Sequence, residues 1–231
     1  MTIAHSDRDL VRLRVLDAAA ELLADGGPDA VTTRAVASSA GVQAPTIYRL
    51  FGDKVGLLDA VADRVFADYV DAKKVDRDSD PVRDLRRSFI AHIDFGTSNP
   101  GLTAIFSDPL RRPSATEERG IAVLRERIHR VARAGRLRVP EERAVMLVHA
   151  IGTGVVLALI AAPKPDRDDH LADAAWESLA AAVLTDVTDR SDDGTRAAAL
   201  RLRADDDALA AALSPAERTL MREWLDRIAG S

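Results

Sequence analysis

Apolar residues open this chain at helical spacing. Val11, Val15, Ala18, Ala19, Leu22 and Leu23 recur at three- and four-residue steps and predict an amphipathic helix over residues 8–24. Gly26-Gly27-Pro28 should end it, because glycine accepts a left-handed cap and proline cannot continue the hydrogen-bond ladder. Thr32 or Thr33 offers an N-cap for a short second helix reaching about residue 39. Gly41 breaks that helix, and a third starts near Gln43, where Pro45 is tolerated because first-turn amides have no intrahelical acceptor. After Phe51-Gly52, Asp53 caps a fourth helix with Leu57, Leu58, Val61, Val65 and Tyr69 on its apolar side. Further helices are predicted near 82–97, 101–107, 114–134, 140–162, 168–189, 194–212 and 215–229. Ser214-Pro215-Ala216-Glu217 opens the last with a cap, an N1 proline and a capping-box glutamate. No alternating β-branched runs compete with this pattern, so the fold class is all-α.

Two features modify that picture. Residues 145–162, VMLVHAIGTGVVLALIAA, approach the length of a membrane span. Glu141, Glu142 and Arg143 precede them, Pro163, Lys164 and Pro165 follow, and no aromatic belt marks either edge. The expectation is therefore a helix buried on several sides in a soluble bundle, with no membrane partner. Polar stretches at 71–81 and 188–195 read as a joint and a hinge.

Composition narrows the chemistry. The chain has 231 residues, a formal net charge of −5 and no cysteine, which removes disulfides and thiolate chemistry and fits a cytoplasmic location. The polar start MTIAHSDRDL does not read as a secretory signal. Catalysis finds no support. GTGVVL at 152 lacks the third glycine and the preceding strand of a dinucleotide fingerprint, no GxSxG elbow occurs, and the five histidines are scattered. No catalytic residue, metal site or cofactor is expected.

One stretch stands out against the acidic total. In Val36 to Lys54, VASSAGVQAPTIYRLFGDK, two short helices flank a glycine turn, the arrangement of a helix-turn-helix. Gly41 supplies the positive φ, Ala37 the small side chain at the helix contact, and Ile47 the inward anchor. Residues 1–55 hold six Lys/Arg and seven Asp/Glu, yet Thr32 to Phe51 contains Arg34 and Arg49 and no carboxylate. Such a surface suits phosphate better than an ordinary solvated face does. The competing reading is a helical interaction protein in which the hairpin is only scaffold.

Residues from about 10 to 56 resemble the DNA-binding domain of the TetR family of bacterial transcriptional regulators. The resemblance rests on Thr32-Thr33-Arg34, Ala37, Gly41-Val42, Ile47-Tyr48, Phe51 and Lys54. It implies a ligand-responsive repressor that binds a pseudo-palindromic operator as a homodimer. Thr32, Thr33 and Arg34 would hold phosphate at the start of the second helix. Gln43, Ala44, Pro45, Thr46 and Arg49 would enter the major groove, Gln43 pairing with adenine and Arg49 with guanine or backbone. Tyr48 matches the family's phosphate-contacting tyrosine, and Lys54 would add its charge at the fourth helix. Many relatives carry serine at the position of Gln43 and glycine or a polar residue at Pro45, so base preference does not transfer.

The same resemblance divides the chain into a helix-turn-helix domain at 1–55, a connecting helix and joint at 56–80, and a helical effector-binding and dimerisation domain at 81–231. Residues 194–231 read as an appended helical pair. Ala150, Gly154, Ala158 and Ala162, with Ala174, Ser178 and Ala182 on the next helix, form a small-residue surface suited to a four-helix interface between subunits. An unidentified small-molecule effector is implied, and Phe89, His92, Phe95, Phe106, His129, His149 and Trp176 are candidates for its pocket.

Overall fold

The structure, a computed structural model, describes residues 7–73, 75, 78–163, 167–185 and 192–230. Among these the chain forms twelve helices and one isolated antiparallel bridge, Leu137 to Leu184. They divide into two compact units. The first takes the residues up to 73 together with 95–119, and the second takes the residues up to 94 after that first break and everything from 120 onward.

The first unit begins with α1, Asp7–Ala30. Gly26-Gly27-Pro28 ends the long first stretch of this helix as the sequence predicts. Gly27 alone leaves helical geometry, at φ 69° and ψ −170°, and Pro28 starts one further turn beyond the kink. α2 (Thr33–Ala40), α3 (Ala44–Phe51), α4 (Lys54–Ala72) and α6 (Pro100–Phe106) complete the unit's core, with α1 packed on α2, α4 and α6. Val15, Ala19 and Leu23 from α1 meet Val36 of α2, Ile47 of α3, Leu57 and Val61 of α4, and Leu102 and Ile105 of α6. Arg111 ties the loop after α6 to α4, donating to Asp59 at 2.6 Å and to Glu117 at 2.5 Å while lying over the Phe106 ring. Burial opposes that charge, but the two carboxylates outweigh it and raise the guanidinium pKa.

The second unit is built from α5 (Pro81–Ser98), α7 (Ala115–Arg133), α8 (Glu141–Ala161), α9 (Leu171–Val183), α10 (Asp192–Ala204), α11 (Asp206–Ala212) and α12 (Pro215–Gly230), with the last turn of α5 and the start of α7 belonging to the first. Its core joins Leu85 and Phe89 of α5, Ile128 and Val131 of α7, Val145, Val148 and Val156 of α8, and Trp176 and Leu179 of α9. Buried within it, Asp84 accepts from Arg127 at 3.1 Å and from Arg87 and Arg130 at 3.2 Å.

Two boundaries differ from the sequence reading. α9 stops at Val183, because Leu184 turns extended and bridges Leu137; of the predicted 188–195 hinge, residues 188–191 lie outside the described residues and 192–195 open α10 instead. The helix predicted over 194–212 breaks at Asp205, whose carboxylate caps α11 by accepting from the Ala208 amide at 3.2 Å. The C-terminal region is thus three helices rather than a pair. Leu200, Ala204 and Ala229 enter the unit's main core, and α10 packs along α12.

α8 is long and apolar enough to cross a membrane, with a mean hydropathy of 2.3 over its most apolar window. One side, Ala144, Val148, Gly152, Val155 and Val156, is buried against the unit's other helices. The other side is open: Met146, Ala150, Gly154, Leu157 and Ala158 are exposed.

Candidate nucleic-acid interface

Local geometry builds the reading head from the caps inward. Thr32 is extended and its hydroxyl accepts from the Ala35 amide at 3.1 Å, satisfying one of the open donors at the start of α2. Gly41 then adopts φ 63° and ψ 39°, the left-handed conformation that reverses the chain, and Val42 donates back to the Ala37 carbonyl at 3.0 Å. Gln43 caps α3 through its backbone alone, since its side chain makes no capping bond. That amide therefore remains available on the surface.

The turn sorts α3 into an inner and an outer side. Val36, Ala37, Ala40 and Ile47 are buried, while Gln43, Pro45, Tyr48 and Arg49 are exposed. Ile47 is 0% and its neighbour Tyr48 53% exposed, so the tyrosine contributes its ring and hydroxyl to the surface rather than to the core. Thr46 is half-buried, and Ala44 is half-buried against the core, which leaves less of both outside than the sequence reading expects. Thr32 and Arg34 are exposed at the start of α2, with Thr33 half-buried. Lys54 is half-buried as the first residue of α4, beside Asp53, which accepts from the Gly56 amide at 2.8 Å.

Charge follows the same division. Among the described residues Arg34, Arg49 and Lys54 form no ion pair, whereas Arg64, further along α4, pairs with Asp17 at 2.5 Å. Sequence spacing assigns no part in this face to Arg12, which is exposed and whose guanidinium lies 5.2 Å from the centroid of the Phe51 ring. No local pattern relates position 12 to position 51; only the folded chain brings them together.

The candidate effector residues fall into several environments. Phe89 and Trp176 are buried together in the second unit, 5.7 Å between ring centroids, and His92 lies against Gly152 of α8. Phe95 and Phe106 belong instead to an aromatic group of the first unit around Phe66, with Tyr69 stacked on Phe95 at 4.0 Å. His129 pairs with Glu141 at 3.2 Å and lines a shallow depression of about 300 Å³ with Arg125, Glu126 and Glu142. His149 is exposed on α8. The small-residue surface is open in the single chain: Ala150, Gly154, Ala158, Ala174, Ser178 and Ala182 are exposed and Ala162 is half-buried.

Comparison with known proteins centres on this head. Residues 15–61 match the family model described as bacterial regulatory proteins, tetR family. Over 62 residues the chain is 44% identical to the tetracycline repressor protein class D of Escherichia coli, a match covering 27% of this chain and 28% of that protein. The chain thus matches little more than a quarter of the length of that curated relative. Among solved structures, a TetR variant from Acinetobacter baumannii AYE in complex with minocycline is 26% identical, with a TM-score of 0.55, over 72% of this chain and 90% of that one. The transcriptional regulator FadR from Bacillus subtilis, in complex with stearoyl-CoA, shares the fold at 15% identity and a TM-score of 0.59, over 73% of this chain and 97% of that one.

Proposed function

We propose that the chain, whose residues 15–61 match the tetR family model, is a cytoplasmic, ligand-responsive transcriptional regulator of that family that binds a pseudo-palindromic operator as a homodimer. The observation that carries this reading is the two-sided α3. Its buried Ile47 fixes the helix, and Gln43, Pro45, Tyr48 and Arg49 project from it without a carboxylate between Thr32 and Phe51. Gln43 and Arg49 have the chemistry to read adenine and guanine edges in a major groove, and Tyr48, Thr32, Thr33, Arg34 and Lys54 that to hold phosphates.

A single head reads few base pairs, so a two-fold pair of heads gains specificity from half-site spacing. The exposed small residues of α8 and α9 give a second copy a place to approach closely. Two relatives are bound to stearoyl-CoA and minocycline. By analogy an organic effector would bind the second unit of this chain near Phe89, His92 and Trp176, and would act by favouring one dimer conformation over the DNA-bound one.

Selection of preferred duplexes from a random pool tests the proposal. Sequence-selective binding that weakens with salt is expected, with Tyr48→Phe weakening all sequences alike and Arg49→Ala also relaxing one position. Recovery of no preferred sequence at moderate salt would leave the helical interaction protein as the better reading.

A further inference from the structure

Arg12 lies on α1, outside the helices to which DNA contact is assigned above, yet its guanidinium sits over the ring of Phe51. Phe51 is the last residue of α3, and residues three apart on a helix are neighbours, so the ring stands beside the exposed Tyr48. Past Gly52 and the capping Asp53, Lys54 opens α4. Arg12 is thereby placed against the last residue of α3, one helical turn from Tyr48 and three residues ahead of Lys54, two side chains suited to phosphate.

The contact leaves the chemistry of Arg12 open. An aromatic ring takes the flat face of a guanidinium, while the five N–H donors lie in the plane and keep their capacity for oxygen. Among the described residues Arg12 is exposed and forms no ion pair, and the nearby Asp53 carboxylate is committed to the Gly56 amide. Arg8, one turn earlier on the same helix face, is likewise exposed and in no ion pair. A planar donor held over a ring, exposed and without an ion-pair partner among the described residues, fits a phosphate oxygen.

We propose that Arg12 is a further DNA contact that clasps a backbone phosphate beside the site read by α3, together with Tyr48 and Lys54. This rests on the DNA-binding reading above. A phosphate fits better than a base edge because helix-turn-helix readers address bases from the N-terminal part of the recognition helix, and Arg12 stands at the other end of α3.

The test uses the full chain and two fluorescent duplexes, one selected from a random pool and one scrambled, with affinity measured across a NaCl series. Arg12→Ala and Arg12→Met, the latter keeping an apolar stem over Phe51, should each weaken both duplexes roughly three- to tenfold at low salt. The slope of log affinity against log salt should fall by about 0.9 per bound protomer, with base preference unchanged. Arg12→Lys should restore most of that slope. An unchanged slope in Arg12→Ala and Arg12→Met would overturn the proposal, and if affinity then fell only in step with the thermal unfolding midpoint, Arg12 would be a packing residue of Phe51. Failure of the unsubstituted chain to bind any duplex would remove the DNA-binding reading and this contact with it, a result separable from failure of the variants alone.

Discussion

Gly56 lies directly against the Phe51 carbonyl: a Cβ built at position 56 would sit well inside 3.0 Å of that backbone oxygen. Backbone cannot swing aside as a long side chain can, so the turn from α3 to α4 keeps its shape only with glycine there. Gly56→Ala should therefore destabilise the chain by about 1–3 kcal/mol, in the range of overpacking, and should displace Lys54 relative to Tyr48. Chemical denaturation and DNA affinity measured on the same variant check this; full stability with full affinity would show that the turn has slack.

Gly41 presents a different constraint. Its φ is 63°, but no atom lies within 4 Å of where a Cβ would stand, so a side chain there meets backbone strain and no collision. Gly41→Ala should cost about 1–2 kcal/mol and Gly41→Asn less, since asparagine tolerates the left-handed region. Urea unfolding midpoints should rank the three as glycine, asparagine, alanine.

Asp84 is 2% exposed and accepts from three arginines, Arg87, Arg127 and Arg130. Asp84→Asn keeps the size and removes the charge that compensates the surrounding guanidinium groups. Taking one partner from a buried ionic cluster costs about 3–5 kcal/mol, which should be visible as a large drop in thermal stability. Tolerance of asparagine would mean that the carboxylate contributes mainly as a hydrogen-bond acceptor.

The proposed dimer can be tested without disturbing the single chain. A Cβ at Gly154 meets nothing within 4 Å, and Ala158 one turn on is exposed. Gly154→Leu and Ala158→Glu should leave helicity unchanged by circular dichroism but shift the chain to monomer in sedimentation. A sedimentation profile equal to that of the unsubstituted chain would place any self-association elsewhere.

Much of the first unit was legible in the sequence because its determinants are local. Thr32 and Asp53 announce themselves as caps by residue type and position, Gly41 by the left-handed turn between two apolar repeats, and Ile47 by helical spacing from its inward neighbours. The inner and outer sides of α3 follow from that periodicity, as does the all-helical class. The Gly27-Pro28 stop was legible in the same way, but the cap at Asp205 was passed over, and it broke one predicted helix into two.

Tertiary structure alone decided which distant residues meet. Nothing near Arg12 in the chain points to Phe51, nothing in the spacing of Asp84 names Arg127 and Arg130, and Phe95 and Phe106 proved to join Phe66 and Tyr69 in the first unit while Phe89 joined Trp176 in the second. Periodicity fixes which face of a helix is apolar, since that depends on 3.6 residues per turn. It does not fix what that face packs against, because the choice among apolar surfaces is settled by shape and burial across the whole unit.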